Sequence, residues 1–279
     1  MKFSLVLATL DTDEAELTRF LASLKAQLPE SVELILVDQN PDDRLLRWTK
    51  AYQDIFPIKM VRSLKGAARA RNVGIPEISG DVVVFPDDDC WYPPGLLRAV
   101  REELEANPQW GGVTGSARDG EGRPAVGNWQ DPPGRVTKYN VWERGVAVTI
   151  FLRKTVLDKI GGFDENLGVG SSTPWQSGEE TDLLIRALEV APIYFQPELI
   201  TLHDSIQVYN RAENAKAYRY ALGCGYVLRK HRYPLWFLLY KLARSTAATV
   251  LSFLRGRPGK AGYHIAIFKG RLRGYLRRP

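Results

Sequence analysis

The sequence predicts an α/β fold built on a doubly wound, parallel sheet. Three observations carry this expectation. Compact apolar runs rich in Val, Leu and Ile recur at 2–9, 32–37, 58–61 and 81–85, as in strands buried on both faces. Stretches with helical apolar spacing separate them, as crossover connections require. The 279 residues, 44% hydrophobic and 10% aromatic, are enough for a substantial core and exclude a disordered chain.

The elements follow in order. Lys2 to Thr9 reads as the first strand. Asp11 or Thr12 can cap a helix to about Gln27, with Leu17, Phe20, Leu21, Leu24 and Leu28 on one face and Pro29 as its stop. Val32 to Val37 is a second strand ending in Asp38. Pro41 and Asp42 open a helix to about Ile55, and Ile58 to Val61 is a third strand. A helix from Ala67 to Gly74 precedes a fourth strand, Asp81 to Phe85. Right-handed crossovers would set Thr9, Asp38 and Asp87 along one edge, where such sheets bind ligands. A helix runs from Pro93 to about Asn107, then Gly111 to Gly145 reads as irregular loop with short strands. Val146 to Leu152 is expected as a strand, Gly161 to Asp164 as a turn, Glu179 to Val190 as a helix and Tyr194 to Leu202 as extended chain.

The net charge of +6 hides an asymmetry. Residues 211–279 hold 16 Lys and Arg against one acid, Glu213, whereas residues 1–210 hold 22 against 31 Asp and Glu. An acidic body with a basic tail suits an anionic surface, lipid or nucleic acid. A helix spans Asn210 to Arg232. Pro234 to Leu254 is largely apolar but interrupted by Lys241 and Arg244, short of the ~20 uninterrupted residues a spanning helix needs. Residence at a membrane interface, with basic groups reaching phosphates, fits better. That apolar stretch is ill suited to DNA, so no nucleic-acid partner is expected. The two cysteines, Cys90 and Cys224, exclude a disulfide scaffold and favour a reducing compartment; no cleavable leader is expected from Met1 to Glu14.

Two clusters carry chemistry. Asp87-Asp88-Asp89 follows the fourth strand with no basic residue adjacent in sequence. Three neighbouring carboxylates repel one another, and a hard divalent cation shared with a diphosphate relieves this; the plain alternative is a solvated acidic loop capping the next helix. Gly66-Ala67-Ala68-Arg69-Ala70-Arg71-Asn72 combines small residues with arginines, allowing close backbone approach and contact to phosphate or base. Further on, Glu179-Glu180-Thr181-Asp182 opens a helix, where the macrodipole favours acids in any protein.

In this order, strand-Thr9, strand-Asp38, Gly-x-x-x-Ala-Arg-Asn, Gly80-Asp81 and Phe-x-Asp-Asp-Asp resemble the nucleotide-sugar half of inverting family 2 glycosyltransferases of the GT-A fold. Gly161-Gly162-Phe163-Asp164 and Gly178-Glu179-Glu180-Thr181-Asp182-Leu183 resemble that family's acceptor half. The resemblance covers residues 1 to about 205. It implies a catalytic domain at 1–209, divided into 1–107 and 108–209, followed by a basic, amphipathic, helical, membrane-associating region at 210–279.

The resemblance further implies that Thr9 and Asp38 hold the nucleoside base, that Arg71 touches base or diphosphate, and that Asp88 meets the ribose. Asp87 and Asp89 match the Asp-x-Asp pair that holds Mn²⁺ or Mg²⁺, with His203 as a later residue approaching the metal or diphosphate. The family's base is normally the second acid of a Glu-Asp pair. Here that position is Glu180, a departure from the commoner Asp, with Glu179 the alternative; a glutamate remains a competent base. Trp175, just before these acids, is expected to stack on the acceptor, and Gly168 to Gly178 to form a mobile lid. The implied partners are a UDP- or dTDP-linked sugar, a lipid-linked or glycan acceptor of surface polysaccharide assembly, and an anionic membrane, with the enzyme peripheral on its cytoplasmic face. A nucleotidyltransferase, or a non-catalytic sugar-nucleotide-binding protein, is the competing reading.

Overall fold

The computed structural model describes residues 1–127, 129, 132–204 and 208–277. Parts of the expected loop (128, 130 and 131) and of the junction before the tail (205–207) lie outside them. The contacts group residues 1–65, 69–163 and 183–205 into one unit, and 66–68, 164–182 and 206–279 into another. The segment preceding and including the Glu-Glu pair groups with residues 206–279.

In the first unit β1 (Lys2–Thr9) and β2 (Ser31–Asp38) pair in parallel along their whole length, Thr9 opposite Asp38. Between them α1 (Glu14–Lys25) is capped by Asp13, whose carboxylate accepts the Ala15 amide at 2.8 Å. It buries Leu17, Phe20, Leu21 and Leu24, the face its spacing predicts. The expected helix to Ile55 is shorter: α2 covers Arg44–Thr49 and a 3₁₀ turn follows. β3 (Ile58–Arg62) extends the parallel set beside β2. After α3 (Ala67–Gly74), β4 (Val82–Val84) lies parallel to β1. Gly74 is where this helix meets the sheet: a Cβ there would come within 2.5 Å of Val6 and 2.9 Å of Val37. Glu33 ties the strand ends together. Burial alone would raise its carboxyl, but hydrogen bonds from Lys2, Ser4 and Ser79 outweigh burial and hold it at about 2.

Then come β5 (Cys90–Trp91), α4 (Leu96–Ala106), β6 (Gly112–Arg118), β7 (Gly134–Arg135), α5 (Val141–Arg144), β8 (Ile150–Arg153), α6 (Lys154–Ile160), α7 (Glu179–Leu188) and β9 (Ile193–His203). The sheet order is β3-β2-β1-β4-β8-β6-β9-β5, with β7 on β9. It is mixed, not purely parallel: β8 runs antiparallel to both β4 and β6. An apolar run reports burial on both faces but not strand direction, so β8 could not be oriented from its sequence. The expected irregular stretch likewise contains β6, six of whose seven residues are buried.

The second unit holds three helices. α8 (Arg211–Lys230) starts at Asn210, whose side chain accepts the Glu213 amide at 2.8 Å. α9 (Leu235–Leu254) and α10 (Pro258–Leu276) follow. The sequence reading expects helix in this region but sets no bounds for α10, because Gly259, Gly262, Gly270 and Gly274 dilute its helical signal. Those glycines serve packing instead. A Cβ on Gly274 would sit 2.1 Å from the Leu222 carbonyl, and one on Gly225 2.2 Å from that of Arg271, so α8 and α10 approach backbone to backbone.

α9 buries polar groups beside apolar ones and exposes many large apolar side chains. Its buried face carries Lys241, Ser245 and Ser252 beside Phe237, Leu238 and Leu242. Arg271 donates to the Lys241 carbonyl at 2.9 Å and to the Ser245 hydroxyl at 3.1 Å. Its outer face exposes Leu235, Trp236, Leu239, Tyr240, Val250, Leu251 and Leu254. Among the described residues no helix is long and apolar enough to cross a membrane.

Candidate functional site

The first unit gathers its polar groups at the carboxyl ends of β1, β2 and β4. Thr9 is fully buried and Asp38 is 1% exposed. Asp38 accepts the Asn40 amide and its side-chain Nδ2, each at 2.8 Å, and pairs with Arg62 at 2.8 Å. The acidic triplet follows β4, and strand register explains what it meets. β5 pairs antiparallel with β9 so that Cys90 lies opposite His203. This brings His203 Nε2 to 3.2 Å from Asp89 Oδ1. One ligand atom each from Asp87, Asp89 and His203 falls within 4.8 Å of the others.

The electrostatics match that geometry. Burial pushes the Asp89 carboxyl up, but the His203 hydrogen bond and charge win and leave it below the ordinary range. Burial lowers His203, yet Asp89 raises it on balance. Asp88 moves the other way, to about 6: burial raises it most, the neighbouring Thr9 and Thr12 hydroxyls pull it down, and repulsion from Asp87 and Asp89 adds to the rise.

Arg71, 4% exposed, donates to Asp87 Oδ1 at 2.9 Å. Its neighbour Asn72 accepts the Phe163 amide at 2.7 Å and donates to the Phe163 carbonyl at 2.9 Å. The Ala-Arg-Asn segment and the Gly-Gly-Phe turn therefore meet, although 91 residues separate them. Arg19 lies 3.8 Å over the Trp91 ring and donates to the Asp89 carbonyl at 3.2 Å.

Two carboxylates and an imidazole, all partly exposed, fit a hard-to-borderline divalent ion and leave positions for phosphate oxygens. A closed structural site would instead surround the ion with protein ligands.

The second unit contains the Glu-Glu pair. Gly178, at φ +93°, turns the chain into α7; a side chain there would be strained and would meet Val227 at 2.9 Å. Glu179 is 7% exposed, its carboxyl packed against Gly168, and Glu180 is half-buried. Asp182 is fully buried, 2.6 Å from Lys230 Nζ and 2.7 Å from His231 Nε2. Lys230 also donates to Asp164 at 2.7 Å. Trp175, 5% exposed, stacks on Tyr226 with centroids 3.8 Å apart, so its ring is covered by a protein neighbour. The loop before the acids is held internally: Gly168 donates to the Trp175 carbonyl at 3.0 Å, Gly170 to Gln176 at 3.0 Å and Gln176 to the Thr173 carbonyl at 2.6 Å.

Sequence reasoning missed Lys230 and His231, read as part of the basic tail, and also Arg19 and Arg62. Their partners lie 19 to 185 residues away, and no local pattern encodes such pairing.

Comparisons with known proteins bear on the family and the fold. The sequence profile described as Glycosyl transferase family 2 matches residues 4–158, more than half of the chain. An uncharacterized glycosyltransferase of Haemophilus influenzae is 29% identical over 183 residues, 63% of this chain and 58% of the relative. The uncharacterized glycosyltransferase YwdF of Bacillus subtilis is 32% identical over 107 residues, 38% of this chain and 39% of the relative. The chain thus spans less than two thirds of either relative. The mannosyltransferase PcManGT of Pyrobaculum calidifontis, solved with GDP-Man and Mn²⁺, shares the fold at a TM-score of 0.69 and 16% identity, covering 97% of this chain and 87% of its own. Residues 1–349 of S. aureus TarS, solved with UDP-GlcNAc, superpose at a TM-score of 0.59 and 15% identity, covering 98% and 92%. The α/β architecture is GT-A-like, and the chain belongs to glycosyl transferase family 2.

Proposed function

We propose that this chain transfers a sugar, with inversion, from a nucleoside diphosphate donor to an acceptor hydroxyl on a polyprenyl diphosphate-linked glycan of surface polysaccharide assembly. The observation that carries this reading is the convergence of Asp87, Asp89 and His203 at the strand ends, beside buried Arg71. The two structural relatives solved with GDP-Man and Mn²⁺ and with UDP-GlcNAc support it.

Asp87, Asp89 and His203 would hold Mn²⁺ or Mg²⁺. Such an ion, when bound, neutralises charge on a departing diphosphate. Arg71 would balance the diphosphate from the protein side, and release of its hydrogen bond to Asp87 would let it do so. Thr9 and Asp38 would hold the base, and Asp88 the ribose hydroxyls. Glu180 accepts the acceptor's proton as its oxygen attacks the anomeric carbon, so no covalent enzyme intermediate forms. Glu179, packed against Gly168, holds the turn. Trp175 would serve an acceptor through the shape it lends the loop, its ring being covered by Tyr226.

The test is a panel of UDP-, dTDP- and GDP-linked glucose, galactose and rhamnose with Mn²⁺ and a polyprenyl diphosphate-linked sugar. Release of nucleoside diphosphate that needs the acceptor supports the proposal. Release of pyrophosphate would assign a nucleotidyltransferase, and no turnover with any donor would favour a binding protein.

We also propose that the outer face of α9 rests on the anionic cytoplasmic leaflet. The outer face of the helix supports this, since it exposes many large apolar side chains. Basic residues flank it, Arg229 and Arg232 before and Arg255, Arg257 and Lys260 after, matching anionic headgroups. Truncation at residue 211 is a poor test because it also removes Lys230 and His231 from Asp182. Leu239→Asp with Val250→Asp changes two exposed positions instead. Wild-type protein should sediment with phosphatidylcholine vesicles containing phosphatidylglycerol. The variant should bind at least about tenfold more weakly, each lost aliphatic contact being worth roughly 1.5–3 kcal/mol when fully buried. Equal binding by variant and wild type would remove α9 from this role.

A further inference from the structure

The second unit contains a charge cluster that the proposed chemistry does not use. Asp182 is fully buried in the first turn of α7, two residues beyond Glu180. Two consecutive residues at the end of α8 bind it: Lys230 Nζ at 2.6 Å and His231 Nε2 at 2.7 Å, both on Oδ1. The same ammonium holds Asp164 Oδ2 at 2.7 Å, so one lysine joins Asp164 to Asp182. Asp164 is further fixed by the Asn166 amide at 3.0 Å. Burial opposes charge on Lys230, but the hydrogen bonds it donates to both carboxylates more than restore it.

The rest of α8 supports the same segment. Ser177 donates to the Tyr220 carbonyl at 2.6 Å. A Cβ on Gly223 would lie 2.1 Å from the Ser177 carbonyl, so only glycine admits that approach. Stacking of Trp175 on Tyr226 completes the contact.

We propose that Lys230, with His231, is a positioning device for Glu180: by gripping Asp182 it fixes the rotation of the first turn of α7, and hence the direction in which the base points. Asp182 and Glu180 are on one turn, so rotation of that turn about its axis moves both. A proton-accepting group displaced by about 1 Å can lose ~10²-fold in rate. The tail is then part of the catalytic apparatus as well as a surface address. This inference rests on the assignment of Glu180 as the base.

The experiment compares Lys230→Met, the double variant Asp182→Asn with Lys230→Met, and Glu180→Gln. Turnover uses the nucleotide sugar that wild-type enzyme consumes, donor-site integrity is measured by calorimetry with UDP or the matching nucleoside diphosphate and Mn²⁺, and folding by thermal melting. Lys230→Met should lose about 10²-fold in kcat with donor KM and nucleotide affinity unchanged, and should melt lower, because two carboxylates each lose their lysine partner. The double variant removes one buried charge, so its melting temperature should recover while kcat stays low. Recovery of kcat together with melting temperature would reduce Lys230 to a structural role, and wild-type kcat in Lys230→Met would do the same. Wild-type turnover in Glu180→Gln would overturn the base assignment itself, and with it this proposal; a slow Glu180→Gln beside an active Lys230→Met would overturn the positioning role alone.

Discussion

Glu180→Gln should lower transfer by about 10²–10⁴-fold, the usual contribution of a positioned general base. Glutamine matches glutamate in size and can still hydrogen-bond, so the half-buried position should keep its packing and lose only proton acceptance. Donor affinity should stay within about twofold, giving a fall in kcat without a matching rise in KM. Glu179→Gln is the control. That carboxyl is 7% exposed and packs on Gly168 at φ +92°, which makes it a support for the turn. Its loss should lower the melting temperature more than kcat. The reverse pattern, a slow Glu179→Gln and an active Glu180→Gln, would move the base to Glu179. Steady-state kinetics with thermal melting of both variants decides it.

The second large effect is expected at the cation site. Asp89→Ala removes one of three converging ligands and also the partner 3.2 Å from His203. Calorimetry with nucleotide sugar should show donor binding strengthened by Mn²⁺ in wild type and indifferent to Mn²⁺ in the variant. Turnover should fall by on the order of 10²–10³-fold, since an ion at a leaving diphosphate supplies several kcal/mol of charge stabilisation. Asp89→Asn separates the ion from packing by keeping the side chain's shape without its charge. Donor binding that ignores Mn²⁺ in wild type, or that still responds to Mn²⁺ in Asp89→Ala, would contradict the assignment.

Much of the first unit was legible because parallel strands announce themselves by continuous apolar runs, and their carboxyl ends name the ligand edge. Thr9, Asp38 and Asp87 to Asp89 could be placed there before any coordinates. The convergence of Asp89 on His203 could not be derived from spacing, since it depends on a two-residue antiparallel pairing of β5 with β9. Nor could the orientation of β8, as burial on both faces looks the same whichever way a strand runs. The tail was read by charge and apolarity alone. Lys230 therefore counted as one more basic residue, although its ammonium is committed to Asp164 and Asp182. The bounds of α10 were hidden by the glycines that let it pack against α8. Long-range polar pairing and backbone-to-backbone packing are properties of the folded chain, and no short window of sequence carries them.

The most direct test of the account is the anomeric configuration of the sugar in the product. With the donor that the panel selects, Mn²⁺ and the lipid-linked acceptor, the product linkage is read by NMR from the one-bond C1–H1 coupling of the transferred sugar. One displacement assisted by Glu180 predicts inversion: an α-linked donor gives a β-linked product, and nucleoside diphosphate appears in equal amount. A product that retains the donor's configuration would contradict the account.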